Sequence, residues 1–202
     1  MENKLKVLFA TSEAEPFAKS GGLGDVCGSL PGALNGLSCD ARVIMPKYQT
    51  IPEQYKNKMR HVADFTMELS WRKVYCGIET LIHNDVVYYF IDNEYYFYHA
   101  IYKGGETEGE QYAFFSRAVL EALPLLDFEP DVLHVNDWHT AMIPMLLRTQ
   151  YMHRPQGKIK TVLTIHNLQY QGAFSFEFVR HFFGVEDRYL TPEFMEAYGA
   201  AN

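Results

Sequence analysis

The chain can be read outward from one octapeptide, Lys19-Ser20-Gly21-Gly22-Leu23-Gly24-Asp25-Val26. A short apolar run at residues 6–10 precedes it, and apolar residues at helical spacing follow it, which predicts the order strand, glycine-rich loop, helix. Glycine lets backbone N–H groups approach a ligand closely, and a helix start adds unpaired donors and partial positive charge. The octapeptide therefore predicts an anion site with Lys19 at its mouth, although a solvated βα connection would show the same pattern.

Two common nucleotide-binding motifs do not fit this loop. Against the dinucleotide fingerprint G-x-G-x-x-G, residues 22–27 place Cys27 where the third glycine belongs. A P-loop is excluded because no Gly-Lys-Ser/Thr follows the glycines. The connection over residues 11–22 is also long for a βα loop, and long loops of this kind more often carry function.

Composition limits the class of protein and its partners. The 202 residues suffice for one large domain or two small ones, and 48% of them are hydrophobic. A formal charge of −7 argues against a nucleic-acid or acidic-membrane partner. Three cysteines without C-x-x-C spacing indicate a reducing, cytoplasmic setting. No export signal and no apolar run near membrane-spanning length is found, so neither export nor membrane insertion is predicted.

Hydrophobic periodicity predicts alternating strands and helices. Strands are expected at residues 4–11, 41–45, 86–91, 132–135 and 161–165, with a β-hairpin over 61–69 and 74–82. Helices are expected at 23–36 with a kink or restart at Pro31, at 111–126, up to about 151 and at 174–184, with a short helix or turn at 51–58. The pattern indicates an α/β protein with a Rossmann-like, doubly wound, mainly parallel sheet and one β-hairpin insertion.

Two segments lack a regular pattern. Residues 93–109 are rich in aromatic residues, glycine and glutamate, and are predicted to form a mobile surface loop. Its aromatic residues are expected to pack beneath the loop more readily than to stack on a sugar or base. Residues 187–202 carry no closing signal, so the chain is expected to be cut from a longer one.

Three polar clusters follow three predicted strands. They are residues 19–22, 136–139 and 166–172. Ligands of open parallel sheets bind outside the carboxyl ends of the strands, so these clusters predict a common site. Each cluster also has a structural interpretation, since Asp137 suits a helix N-cap and His166 could be an ordinary strand-end histidine.

Metal and serine-nucleophile chemistry find little support. Asp137, His139 and His166 are acceptable ligand types, but H-E-x-x-H spacing is absent and His134 falls inside a strand, where it is expected to be core. No G-x-S-x-G elbow is present for a Ser-His-Asp triad. No metal site is predicted.

The ordered motifs resemble glycosyltransferase family five, the bacterial glycogen synthases and plant starch synthases. The resemblance rests on the octapeptide, Leu30-Pro31 and four further motifs in order: Val43-Ile44-Met45-Pro46-Lys47-Tyr48, Phe115-Ser116-Arg117-Ala118, His134-Val135-Asn136-Asp137-Trp138-His139, and Thr164-Ile165-His166-Asn167-Leu168-Gln169-Tyr170-Gln171-Gly172. Ser20 stands where the family usually has Thr, and Asn136 where many members have His. Asn136 is therefore given no role.

The resemblance implies one lobe of a two-lobed glycosyltransferase B-type fold. Residues 1–202 would be the N-terminal lobe, with the acceptor side and part of the donor site, and the C-terminal nucleotide-binding lobe would be absent. The implied reaction transfers glucose from ADP-glucose to the non-reducing 4-hydroxyl of an α-1,4-glucan, with retention and without metal or cofactor. This piece alone is expected to be inactive.

The same resemblance implies roles for individual residues. Lys19 with Gly21 and Gly22 would meet the donor phosphate and sugar. The catalytic pair would be His166, near the reacting carbon of the donor glucose, and Asp137, near that glucose and the acceptor. The remaining substrate-binding residues would be Asp25, His139, Asn167 and Gln171.

Three alternatives remain open. The enzyme could use UDP-glucose, since the residues that read the base are expected in the absent lobe. A metal-dependent hydrolase could use Asp137, His139 and His166. A non-catalytic sugar-binding module could use the aromatic residues of segment 95–102 as its platform.

Overall fold

Seven strands form the main sheet of the computed structural model, which describes residues 4–98 and 101–202. They are β1 (Leu5–Ala10), β2 (Cys39–Pro46), β3 (Arg60–Leu69), β4 (Arg72–His83), β5 (Val86–Asp92), β6 (Val132–Asn136) and β7 (Lys160–Thr164). Their order is β3-β4-β5-β2-β1-β6-β7. The neighbours from β5 to β7 are parallel, and the β3–β4 hairpin extends the sheet in antiparallel fashion. The predicted α/β class, parallel sheet and hairpin are confirmed.

The α-helices lie between the strands and after β7. They are α1 (Gly22–Asn35), α2 (Glu53–Lys56), α3 (Glu94–Phe97), α4 (Gly105–Ala122), α5 (Trp138–Thr149) and α6 (Phe176–Phe183). The crossover to β2 runs in one direction along the sheet, and those to β6 and β7 run in the other. Right-handed connections therefore place α1 on one face and α4 and α5 on the opposite face, where α4 packs against α5.

The hydrophobic core includes the central strands β1 and β2. Leu8, Phe9 and Ala10 are completely buried, as are Val43 and Ile44 of β2. A run of apolar residues without alternation is typical of a parallel strand covered on both faces, which explains why β1 could be recognised from six residues.

Helix α1 runs unbroken through Pro31, so the predicted restart is wrong, while the predicted kink stays a prediction. Proline removes one intrahelical hydrogen bond, and the Pro31 ring is buried, so its packing offsets that loss. The predicted short helix at 51–58 is also shorter than expected, since α2 covers only Glu53–Lys56.

The predicted surface loop at 93–109 is largely helical. Asn93 caps α3, its Oδ1 accepting from Tyr96 N at 3.1 Å. Helix α4 begins at Gly105, and Glu108 Oε2 accepts from Gly104 N at 2.6 Å, a capping contact with the favourable charge for a helix start. Tyr96 and Phe97 are buried, as the packing interpretation expected. Residues 99 and 100 of this segment lie outside the described residues.

The last segment does carry local structure. A turn at Asp187–Tyr189 is followed by a small hairpin of β8 (Glu196–Ala197) and β9 (Ala200–Ala201). Phe174 and Ala201 exchange two backbone hydrogen bonds, at 3.0 and 2.9 Å. The hairpin is therefore anchored beside the segment that leads into α6.

Candidate functional site

The three polar clusters follow β1, β6 and β7, which are neighbours at the topological switch point of the sheet. Strand β1 lies between β2 and β6, and the connections that leave β1 and β6 pass to opposite faces. A crevice forms at such a point, outside the carboxyl ends of the strands. Asn136 at the end of β6 donates from Nδ2 to Ala10 O at the end of β1, at 3.2 Å. Asp137 in turn bonds to the backbone that follows β7. Hydrogen bonds therefore join clusters 136–139 and 166–172, while the approach of residues 19–22 to them stays a prediction.

A buried carboxylate, Glu13, braces the glycine-rich loop. It accepts from Ser20 Oγ at 2.7 Å, from Gly21 N at 3.2 Å and from the Tyr102 hydroxyl. The Gly21 amide thus has an acceptor within the protein, and a contact of Gly21 with the donor stays a prediction. The first amides of α1, at Gly22 and Leu23, have no intrahelical acceptor and remain as donors. Glu13 was missed because an acidic residue after a strand gives no sign of pointing inward.

Lys19 is a charged, half-exposed side chain held over the first turn of α1. Its Nζ lies 2.5 Å from Asp25 Oδ1 and 3.3 Å from Glu15 Oε2. The bond to Asp25, followed by that to Glu15, raises the pKa of Lys19, and the same bond to Lys19 lowers the pKa of Asp25. A Cβ at Gly24 would lie 2.9 Å from Lys19 Cγ, so glycine there lets the lysine stem pass. Asp25 thus contacts the lysine that was predicted to bind phosphate.

Asp137 joins the ends of β6 and β7. Its Oδ1 accepts from His166 N at 2.6 Å and Asn167 N at 3.4 Å. It occupies the N-cap position of α5, as predicted, but its side chain makes no capping hydrogen bond. Its backbone has φ 55° and ψ −179°, a region that is costly for any residue except glycine. Strain of this kind is retained where a side chain must be placed for function.

His166 is held at its backbone and at its ring by two consecutive residues. Asp137 accepts from its amide, and Asn136 Oδ1 lies 3.0 Å from its Nε2. The His166 side chain is half-buried, while Asn136 is almost fully buried. Asn136, to which the sequence assigned no role, therefore belongs to the site.

His139 lies in an aromatic cage and not in open space. Its ring centroid is 4.9 Å from that of Tyr102, 4.5 Å from that of Tyr112 and 4.2 Å from that of Trp138. Its Nδ1 has no partner among the described residues, and Nε2 is 3.8 Å from Glu108 Oε1. Burial lowers the pKa of His139 from 6.5 to about 3, so the ring is neutral. Only 7% of the residue is exposed, so a direct substrate contact would need the cage to open.

Acidification is expected to destabilise the protein through His139. The pKa of this histidine is 6.5 in the unfolded chain and about 3 in the folded protein, so between these values the unfolded chain binds a proton that the folded ring does not. The free energy of unfolding therefore falls as the pH drops through this window. Relative to the variant His139→Phe, the wild type should lose about 2 kcal/mol of unfolding free energy between about pH 7.5 and about pH 5. Urea unfolding of both proteins at the two pH values measures this difference. The variant His153→Gln, at an exposed position, should keep the wild-type dependence. Equal pH dependence in His139→Phe and wild type would contradict the assignment.

The loop after β7 is built onto Trp138. Gly172 has φ 63°, and a Cβ there would lie 2.4 Å from the Trp138 indole. Asn167 and Gln171 are exposed on this loop. Asn167 Oδ1 accepts from Gln169 N at 2.9 Å, and Gln171 Nε2 donates to Leu168 O at 3.0 Å. Both predicted substrate-binding side chains thus also shape the loop that carries them.

Substitution of Gly172 by alanine should cost more than an ordinary glycine replacement. The new Cβ would meet both an unfavourable φ and the indole ring, so we expect a loss above the roughly 1–2 kcal/mol of a left-handed residue alone. Gly184 is the matched control, because its φ is 65° and its nearest neighbour would be 3.4 Å away. Chemical unfolding of Gly172→Ala and Gly184→Ala compares the two. Equal losses of unfolding free energy would show that the Trp138 indole moves aside for the new Cβ at no energetic cost.

The ligand set of the metal-dependent alternative is not grouped as an ion site. Within residues 4–98 and 101–202, no three His, Cys, Asp or Glu side chains are grouped as an ion site. Asp137 is bonded to two amides, and His139 faces aromatic rings. His134, expected in the core, is only half-buried, and its Nε2 lies 2.7 Å from Thr164 Oγ1.

A group of exposed aromatic residues lies away from this site, on the segment after β5 and on the turn between β3 and β4. Two concavities share Tyr95 and Tyr96 in their walls, and the larger measures about 650 Å³. Tyr95 is 71% exposed, and Trp71 beside it is 79% exposed. None of the predicted catalytic or substrate-binding residues lines either concavity.

In the part of the chain that is described, no helix is long and apolar enough to cross a membrane.

Comparison with known proteins places this arrangement in a family. The family model for the starch synthase catalytic domain matches residues 6–202. Glycogen synthases of Geobacillus thermodenitrificans and Caldicellulosiruptor saccharolyticus are 51% and 53% identical over 98% and 97% of this chain, which covers 41% of each relative. The catalytic domain of starch synthase IV from Arabidopsis thaliana, solved with ADP and acarbose, superposes with a TM-score of 0.90 at 25% identity, over 99% of this chain and 42% of that chain. The chain belongs to the starch synthase catalytic domain family.

Proposed function

We propose that the full-length protein is a glucan synthase that transfers glucose from ADP-glucose to the non-reducing 4-hydroxyl of an α-1,4-glucan, with retention. The observation that carries this is identity near 50% with glycogen synthases along almost the whole chain. The ADP and acarbose bound to the Arabidopsis relative support an adenosine diphosphate donor and a glucan acceptor. The proposed reaction uses neither a metal nor a cofactor.

Residues 1–202 are proposed to form the N-terminal lobe, with the acceptor side and part of the donor site. Because the chain covers 41% of the length of each curated relative, we propose that the nucleotide-binding lobe lies in the rest of the full-length protein. Residues 1–202 would then lack the groups of that lobe that are proposed to surround the diphosphate. Residues 1–202 alone are therefore expected not to extend a glucan.

The site residues suit the demands of losing a nucleoside diphosphate. The bond between the glucose carbon and the diphosphate oxygen breaks, and negative charge collects on the leaving oxygens. The acceptor 4-hydroxyl oxygen bonds to the same carbon, and its proton passes to the leaving diphosphate. Lys19 and the free amides at the start of α1 are proposed to stabilise that charge. His166 and Asp137 are proposed to position the donor glucose and the incoming 4-hydroxyl. No protein nucleophile is required.

We propose a cytoplasmic location. The three cysteines are free thiols, and two of them, Cys27 and Cys76, are buried as small apolar side chains. Unpaired thiols are typical of a reducing compartment.

The test uses the full-length protein with ADP-glucose or UDP-glucose and a maltooligosaccharide, each with and without chelator. We expect glucan growth from ADP-glucose that the chelator does not change. Growth from UDP-glucose alone would replace the donor. Chelator-sensitive hydrolysis would favour the metal-dependent alternative, and glucan binding without transfer would favour a sugar-binding module on the exposed aromatic residues.

A further inference from the structure

The orientation of the Asn136 side chain is fixed by two carbonyl groups. Asn136 is 1% exposed, and its Nδ2 donates to Ala10 O and to His134 O, each at 3.2 Å. A carbonyl oxygen accepts hydrogen bonds and cannot donate them, so the amide cannot be turned end for end. Its Oδ1 is therefore the atom that faces the His166 ring.

This orientation determines which nitrogen of His166 carries a proton. Asn136 Oδ1 lies 3.0 Å from His166 Nε2, and an amide oxygen is an acceptor only. The proton of a neutral ring must then sit on Nε2, which leaves Nδ1 as the acceptor. The neighbouring Asp137 holds the amide of the same residue at 2.6 Å. Two consecutive residues thus fix the position of His166 and the direction of its ring.

We infer that Asn136 is a positioning residue that holds His166 as the Nε2–H tautomer, with Nδ1 presented as a hydrogen-bond acceptor to a hydroxyl group of the substrate. That the substrate is a sugar rests on the proposed function. The tautomer rests on the contacts alone. Asn136 sits at the end of β6, a rigid element, which is the kind of support that a positioned side chain needs.

A purely structural role for Asn136, as a tie between β1 and β6, predicts different behaviour. The matched control is Thr140→Val. Thr140 Oγ1 accepts from Asn136 N at 2.7 Å and donates to Asn136 O at 2.8 Å, so valine loosens the backbone that carries the Asn136 side chain. It leaves the contact between Asn136 Oδ1 and His166 untouched.

The decisive readout is the tautomer. The full-length protein is labelled with ¹⁵N-histidine, and two-bond proton–nitrogen correlations are recorded near neutral pH, with His166 assigned through its loss in His166→Gln. We expect the Nε2–H pattern in the wild type and in Thr140→Val, and averaged nitrogen shifts of a tautomer mixture in Asn136→Ala. A wild-type Nδ1–H pattern, which needs no variant, or an unchanged pattern in Asn136→Ala would overturn the inference.

Transfer kinetics separate this inference from the proposed function. Asn136→Ala should lower kcat/KM for glucosyl transfer by about 10²-fold, the scale of a misplaced reacting geometry, and Thr140→Val by much less. If the wild type transfers no glucose but shows the Nε2–H pattern that Asn136→Ala loses, the proposed function fails and the tautomer assignment stands. If transfer occurs and the ring is not Nε2–H, only the inference fails.

Discussion

Replacement of Asp137 by alanine is expected to lower kcat/KM for glucosyl transfer by about 10²- to 10³-fold, the range for loss of one preorganised electrostatic group. The carboxylate accepts from the amides of His166 and Asn167, so its removal frees the backbone that carries the proposed catalytic histidine. Steady-state assays of the full-length protein with ADP-glucose and maltooligosaccharide measure the loss.

The same position offers a test of backbone strain. Asp137 has φ 55° and ψ −179°, which glycine adopts freely and alanine does not. Asp137→Gly should therefore unfold with a free energy about 1–3 kcal/mol higher than Asp137→Ala, although both lack the carboxylate. Both variants should lose transfer activity to a similar extent. Equal stability of the two variants would show that the backbone strain costs nothing there. Activity retained in either variant would show that the carboxylate is not needed for transfer.

Replacement of Lys19 by alanine should reduce kcat/KM by a comparable factor, about 10²- to 10³-fold, because a positive charge near the leaving diphosphate is lost. Stability should change little, since Lys19 and its partner Asp25 are both about half-exposed and exposed ion pairs contribute little. Kinetics and chemical unfolding of the full-length protein test the two halves of this expectation.

Asp25→Asn separates a phosphate-binding lysine from a structural ion pair. It removes the negative charge of the partner at 2.5 Å and keeps the lysine charge, so transfer should fall far less than in Lys19→Ala. Equal losses in the two variants would mean that the ion pair shapes the loop and that Lys19 does not contact the donor.

The order of strands and loops followed from local pattern. Buried runs such as residues 6–10 and the alternating hairpin are written in consecutive residues, and so are the polar clusters at the strand ends. Helix boundaries could not be predicted from local pattern where a capping hydrogen bond sets them. Helix α4 begins at Gly105 because Glu108 bonds to the amide of Gly104, a contact that residues 93–109 did not reveal by composition.

The tertiary structure determined which hydrogen-bond donor meets which hydrogen-bond acceptor. Sequence alone determined an α/β sheet with three polar clusters at one edge, because burial and turn preferences are local. It did not show that Glu13 accepts a hydrogen bond from the Gly21 amide or that aromatic rings surround His139. Nor did it show that Asn136 orients His166. Asn136 lies 30 residues from His166 and 126 residues from Ala10 in the chain, and Glu13 lies 89 residues from Tyr102. Their meeting is set by strand order and helix crossings, so only the folded chain specifies the chemistry of the site.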